Sequence, residues 1–173
     1  MGLWLLGAVF WGLLLYPAFC PPRESGSRYS CRTNLRQLGM ALAMYAQDYE
    51  DRLPPVTGWQ AGLYPYYKNP HFEVCPSRSD VTPGYAYNSL LDRRLIENSI
   101  QEDKTPALFD SSLGQKDAAD RLESFAKPHG SPDARKGNVL FLDGHVEAML
   151  MAPSASAGFA PVWRDQAGTG GKR

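Results

Sequence analysis

The sequence predicts an α+β protein in which a long N-terminal helix, embedded in a membrane over its first half, packs on a small antiparallel β-sheet. Three observations predict this fold class. Residues 1–22 carry no charged side chain, residues 27–52 repeat apolar side chains at helical spacing, and residues 138–150 form two strand-like runs joined by Asp-Gly. The predicted organisation is a transmembrane or signal-anchor segment at 1–22, a globular domain at 23–151 and a flexible C-terminal tail at 152–173.

The N-terminal segment consists mostly of Leu, Trp, Phe, Val and Ala. About 20 apolar residues cross a bilayer as a helix, so the segment is long enough to span. Three interpretations are open: a retained anchor, a cleaved signal peptide and a buried core helix. We favour the anchor because no Lys or Arg precedes Arg23 and because Phe19-Cys20 does not fit a small-residue cleavage site.

The next segment has the spacing of an amphipathic helix. Its apolar side chains recur at steps of three and four and fall on one stripe: Cys31, Leu35, Leu38, Leu42, Tyr45 and Tyr49. Pro54 and Pro55 cannot continue a helix, so it ends before them. We interpret the stripe as a surface that covers a sheet.

The remainder of the domain alternates short apolar runs with turns. We expect a short helix from Trp59 and a short strand at 72–74. Residues 85–88 alternate as a strand does, and residues 107–110 form a third apolar run. Residues 114–136 are polar and rich in Pro and Gly, which predicts a long loop.

The last two strands are predicted to form a hairpin. Asp143 and Gly144 supply the positive φ angles that a tight turn needs. His145 and Glu147 then share one face of the second strand.

Composition argues against several classes of function. The 18 basic and 18 acidic side chains cancel, so there is no electrostatic reason to expect a nucleic-acid partner. The chain has no Gly-x-Ser-x-Gly, P-loop or His-Glu-x-x-His motif, and we predict that it is not an enzyme.

Cys31 and Cys75 either form a disulfide or are two buried thiols.

Metal-capable side chains occur at His129, Asp143 and His145, with Asp110 or Glu147 as further donors. Their spacing matches no ligand motif, and Cys-x-x-Cys is absent. The prediction is therefore no metal and no other cofactor, with bound calcium or zinc as the open alternative.

A longer pattern runs through the amphipathic segment. It ends in Leu53-Pro54-Pro55 and contains Ser30, Cys31, Asn34, Leu35, Gln37, Leu38, Gly39, Ala41, Tyr45, Asp48 and Tyr49. This pattern resembles bacterial type II secretion pseudopilins and the related planctomycete-type prepilin-like proteins. Downstream, the resemblance extends to Cys75-Pro76, to Tyr85-Ala-Tyr-Asn88 and to His129 followed by Asp143-Gly144.

Two features depart from that family pattern. The basic leader and the Gly-Phe-Thr-Leu-Ile-Glu signature are absent. Thirteen residues (130–142) separate His129 from Asp143, where the family pattern has nine.

The resemblance implies a pilin-like fold and a structural, non-enzymatic role. The chain would be a pseudopilin-like subunit or a membrane-anchored accessory of a type II secretion or type IV pilus-like system. Its partners would be the membrane, copies of itself, other pseudopilins and inner-membrane components of the secretion system. Its location would be the bacterial inner membrane, single-pass, with the globular domain in the periplasm or at the cell surface.

A second hypothesis is a membrane-anchored extracytoplasmic module that binds glycans or peptides. Exposed aromatic side chains would line its groove: Trp59, Tyr64, Tyr66, Tyr67, Tyr85 and Tyr87.

Overall fold

The computed structural model describes residues 23–78, 80–96 and 101–152. Two α-helices lie in this part of the chain, α1 (Arg23–Asp48, 26 residues) and α2 (Trp59–Tyr67, 9 residues). Single turns of 3₁₀ helix follow α2 at Pro70–Glu73 and Pro76–Arg78. Five strands make one sheet: β1 (Tyr85–Asn88), β2 (Pro106–Asp110), β3 (Ala119–Asp120), β4 (Gly137–Phe141) and β5 (Val146–Met149).

The sheet has the strand order β3-β1-β2-β4-β5 and is mixed. Strands β1, β2, β4 and β5 pair antiparallel, whereas β3 pairs parallel with β1 through Tyr87–Ala119 and Asn88–Asp120. The predicted antiparallel sheet is therefore wrong at its β3 edge.

In the described residues, no helix combines the length and the apolar character needed to cross a bilayer. Charged residues along α1 account for this, among them Arg32, Arg36 and Asp48. The finding contradicts the predicted fold class, a long N-terminal helix with a membrane-embedded half. It also contradicts the predicted transmembrane helix and the single-pass inner-membrane location that depended on it. The predicted anchor at 1–22 and the tail from 153 lie outside the described residues.

The C-terminal end of α1 lies four residues before the predicted end at 52. Glu50 and Asp51 take φ angles of 54° and 58°, in the left-handed region. The Asp51 N–H donates to the carbonyl of Ala46 at 2.8 Å. The chain therefore leaves the helix through this turn, before Pro54 acts.

Two apolar clusters cover the two faces of the sheet. On one face the α1 stripe packs with Trp59 and Leu63 of α2 against Leu108 and Leu140 of the central strands. The opposite face buries a smaller cluster of Ala86, Phe109, Ala118, Leu122, Val139 and Phe141. Because both faces are covered, β1, β2 and β4 are buried along their whole length.

Two local predictions differ from the structure. The strand expected at 72–74 is wrong, because a 3₁₀ turn begins at Pro70 and the Asn69 side chain caps it by accepting from the His71 N–H. Strand β3 lies inside the polar segment 114–136, where two residues carry no periodic signal.

Candidate functional site

The residues that the sequence singled out meet where α1 approaches the loop before β1. A disulfide joins Cys31 of α1 to Cys75, with 5.1 Å between the Cα atoms, and both residues are buried. The Asn34 side chain, one turn along α1, donates to the carbonyl of Val74 at 2.8 Å. The helix is therefore tied covalently and by hydrogen bonding to this loop, a pairing that the sequence had left open.

A buried polar cluster lies beside the disulfide. His129 Nε2 is 3.1 Å from Asp110 Oδ2 and 3.9 Å from Cys75 Sγ, and His129 Nδ1 is 3.0 Å from the Ser77 hydroxyl. Asp110 and His129 are only 1% and 3% exposed. The cluster combines a carboxylate, an imidazole, a hydroxyl and two sulfur atoms in the interior.

Asn138 holds the Asp110 carboxylate in place. Its backbone N–H donates to Asp110 Oδ2 at 2.6 Å and its side-chain amide at 2.9 Å. Oδ2 therefore has three polar neighbours, whereas the buried Oδ1 of Asp110 and the buried Oδ1 of Asn138 have no hydrogen-bond partner in the described part of the chain. Unpartnered buried oxygens are uncommon, because each loses its hydration without compensation.

An open cleft of about 570 Å³ adjoins the cluster on the Ser77 side. Its walls carry three cationic side chains and one carboxylate: Arg78, Lys127, Arg135 and Asp80. Ser77 lines the cleft and also contacts His129, so it separates the buried imidazole from solvent.

Hydrolases place a hydroxyl, an imidazole and a carboxylate in contact in that order, and the side chains of Ser77, His129 and Asp110 contact one another in the same order. Here the hydroxyl contacts Nδ1 and the carboxylate contacts Nε2, the reverse of the serine-protease arrangement. The order of groups alone does not make a hydrolytic site, and the absence of enzymatic activity stays a prediction.

The predicted metal-capable residues do not converge as a set. Asp143 and His145 form an exposed pair on the β4–β5 turn, with Oδ1 and Nδ1 2.6 Å apart. Gly144 has φ 88°, as predicted, but Asp143 does not take a positive φ, so only one of the two predicted positive φ angles is present. Within the described residues, the metal-capable atoms that come together belong instead to Cys31, Cys75 and His129, all within 4.8 Å of one another.

Other signature residues join elements of the fold. Gly39 brings α1 close to β4, since a Cβ there would stand 2.8 Å from Leu140 Cδ1. The Asn88 side chain donates to the carbonyl of Pro106 at 2.8 Å. Pro76 begins the 3₁₀ turn that carries Ser77. These contacts hold neighbouring elements of the fold together.

A second group of signature residues lies at the end of α1. Tyr45 and Tyr49 stack with ring centroids 4.2 Å apart. Asp48 accepts from the Tyr66 hydroxyl at 2.8 Å, and this hydrogen bond raises the pKa of Tyr66 to about 12.

The six aromatic residues of the binding-module hypothesis differ in exposure. Four belong to the core: Trp59, Tyr67, Tyr85 and Tyr87. Tyr66 is half-buried and donates to Asp48. Tyr64 is 47% exposed and lines an open pocket of about 490 Å³ with Gln60, Glu73 and Lys116. The hypothesis stays a prediction, and Tyr64 is the aromatic residue that carries it.

Sequence reasoning missed Ser77 and Asn138 and named Asp110 only as a further donor. Ser77 follows Cys75-Pro76 in a polar loop, and Asn138 reads as the first residue of a hairpin strand. Neither position carries a periodic or motif signal, because their partners are distant in sequence.

The outer face of α1 is a second candidate site. Tyr29, Met40 and Met44 are 69%, 53% and 49% exposed, and Ala43 is also exposed. These residues lie on the side of the helix away from the buried stripe, where Arg36 and Gln47 are also exposed, and Met40, Ala43 and Met44 form a short apolar stripe in the second half of α1.

No protein-family model, no curated protein and no solved structure matches this chain. The comparisons therefore add no support for a role in secretion or in a pilus.

Proposed function

We propose that this chain is a non-enzymatic, pseudopilin-like structural subunit that assembles with copies of itself through the outer face of α1. The single observation that carries the proposal is the short exposed apolar stripe of Met40, Ala43 and Met44. A helix that only covers a sheet is polar on its outer side.

The composition of the stripe suits a helix of a second copy. Met40 and Met44 have flexible side chains that adapt to an irregular partner surface, and Ala43 allows close approach. The resemblance of residues 30–55 to pseudopilins supports the same role.

The test compares two double variants of the full chain. M40E/M44E places two carboxylates on the stripe, and L113E/L150E places the same charges on two exposed apolar residues outside α1. We expect wild type and L113E/L150E to form oligomers in light scattering after size-exclusion chromatography, and M40E/M44E to be monomeric.

A wild-type chain that stays monomeric across the accessible concentration range would contradict the proposal. Equal loss of oligomers in both double variants would also contradict it, because the effect would then come from added charge and not from α1.

A further inference from the structure

We propose that the reduced protein binds one zinc ion at Cys31, Cys75, His129 and Asp110, and that the disulfide is the oxidised, metal-free state of the same site. This inference is independent of the proposed assembly.

Three of the four ligand groups already lie close together, since the ligand atoms of Cys31, Cys75 and His129 are all within 4.8 Å of one another. Zinc bonds of about 2.0–2.3 Å in a tetrahedron place neighbouring ligand atoms roughly 3.3–3.8 Å apart. The 3.9 Å between His129 Nε2 and Cys75 Sγ is near these values. The Asp110 carboxylate adjoins the set, with Oδ2 3.1 Å from His129 Nε2.

Asp110 is the proposed fourth ligand because one of its carboxylate oxygens, Oδ1, lacks a hydrogen-bond partner among the described residues. This oxygen is buried, while Oδ2 is held by the backbone and side chain of Asn138. A carboxylate fixed through one oxygen leaves the other available as a metal ligand. Coordination would remove the free-energy cost of burying Oδ1 alone.

The surrounding hydrogen bonds also match those of metal sites. A metal-binding histidine usually donates its second ring N–H to an oxygen. His129 Nδ1 lies 3.0 Å from the Ser77 hydroxyl, which can accept that bond. With Nε2 as the ligand, Ser77 and Asn138 would orient the imidazole and the carboxylate respectively.

Two cysteines, one histidine and one carboxylate make a closed structural site. The thiolates are soft ligands that favour zinc over calcium or magnesium. Cys31, Cys75 and His129 are at most 3% exposed, so the site has no open coordination position for a substrate. The adjoining cleft at Ser77 is the path by which an ion would reach it.

The conversion of the disulfide into the zinc-bound dithiolate conserves atoms and electrons. Two electrons and two protons from a dithiol reductant convert the disulfide into two thiols, and the reductant becomes a disulfide. Zinc then binds the two thiolates and releases two protons to water. Two thiolates on one zinc stand about 3.8 Å apart, a separation that side-chain rotation at Cα atoms 5.1 Å apart allows.

The experiment uses the full chain carrying Cys20→Ser, so that Cys31 and Cys75 are its two thiols. The protein is reduced with a dithiol, passed through a desalting column without oxygen, loaded with Zn²⁺ or Co²⁺ and dialysed. We expect one metal ion per chain, thiolate-to-cobalt charge-transfer absorption and protection of both thiols from alkylation. The oxidised protein should retain no metal.

Matched variants identify the ligands. H129N should abolish stoichiometric binding, whereas H145N, the same change in the exposed His–Asp pair, should leave it unchanged. S77A should weaken zinc binding about 10–100-fold, because it removes the partner of the second ring nitrogen.

Reduced protein that is folded by circular dichroism and takes up no stoichiometric metal would overturn the proposal. Equal losses in H129N and H145N would overturn it as well. If H129N does not fold, X-ray absorption of zinc-loaded wild type decides the question. Two sulfur and two nitrogen or oxygen neighbours support the site, and any other set contradicts it.

Discussion

His129 Nε2 lies 3.1 Å from Asp110 Oδ2, and this contact joins the end of β2 to the loop before β4 inside the core. Asp110 also accepts two hydrogen bonds from Asn138, the second residue of the buried strand β4 beside it. The pair therefore connects three segments that are separate in sequence.

Removal of one partner of this pair should be strongly destabilising. We expect Asp110→Ala to lower the free energy of unfolding by about 3 kcal/mol or more, because it leaves the imidazole and the Asn138 donors buried without an acceptor. Urea unfolding measures the loss. The control is Asp143→Ala in the exposed His145 pair, which should cost at most about 1 kcal/mol. Equal costs in the two variants would contradict a special role for the buried pair.

Reduction of the Cys31–Cys75 disulfide should destabilise the metal-free protein. The bridge closes a loop with a sequence separation of 44 residues. The chain-entropy model assigns about 4 kcal/mol to a loop of this length. Urea unfolding of Cys20→Ser protein, with and without reductant and with a chelator present, tests this value. An unchanged unfolding midpoint would show that the bridge does not restrain the unfolded chain.

Gly39 should be required by the packing of α1 on β4. Gly39→Ala would place a Cβ 2.8 Å from Leu140 Cδ1, so we expect a loss of about 1–3 kcal/mol from overpacking. Gly26 lies in the same helix with nothing near its Cβ position. Gly26→Ala should therefore be neutral or stabilising by up to about 1 kcal/mol. Thermal unfolding of both variants is the measurement, and a stabilising Gly39→Ala would contradict the close approach.

The buried tyrosines should make the protein sensitive to alkali. Burial, with the nearby Asp110 charge, raises the pKa of Tyr85, and burial raises the pKa of Tyr87. Unfolded tyrosine ionises near pH 10, so above that pH the unfolded state binds fewer protons than the folded state. The free energy of unfolding should then fall by about 1.4 kcal/mol per pH unit for each such tyrosine.

Urea unfolding between about pH 9 and pH 11 measures this slope. Tyr85→Phe should make the slope shallower, whereas Tyr64→Phe, which changes an exposed ring, should leave it unchanged. Equal slopes in all three proteins would show that Tyr85 does not carry the effect.

Local pattern accounts for much of the fold. Five of the six residues of the predicted helix stripe are buried, whereas Tyr49 lies past the end of α1 and is 52% exposed. Asp143-Gly144 predicted the position of the turn between β4 and β5. These signals are visible because each depends on residues three or four positions apart or on a turn of a few residues.

The parallel edge strand β3 could not be predicted from local sequence pattern. Strand β3 is held beside β1 partly because Gln60 and Asp117 exchange two hydrogen bonds, at 3.1 and 2.7 Å. The Trp59 indole also donates to the carbonyl of Ala118 at 3.1 Å. Trp59 and Gln60 lie nearly sixty residues from β3 in the sequence. The residues around this two-residue strand therefore carry no local pattern that predicts it.

The sequence by itself determined where α1 and the hairpin lie and which of their side chains face the core, because helix and strand periods are local properties. Only the tertiary structure decided that Cys31, Cys75, His129 and Asp110 share one buried site. Their proximity depends on the disulfide, on the sheet register and on the Asn138 hydrogen bonds. Each of these is a contact between distant segments, and chain spacing does not encode such contacts.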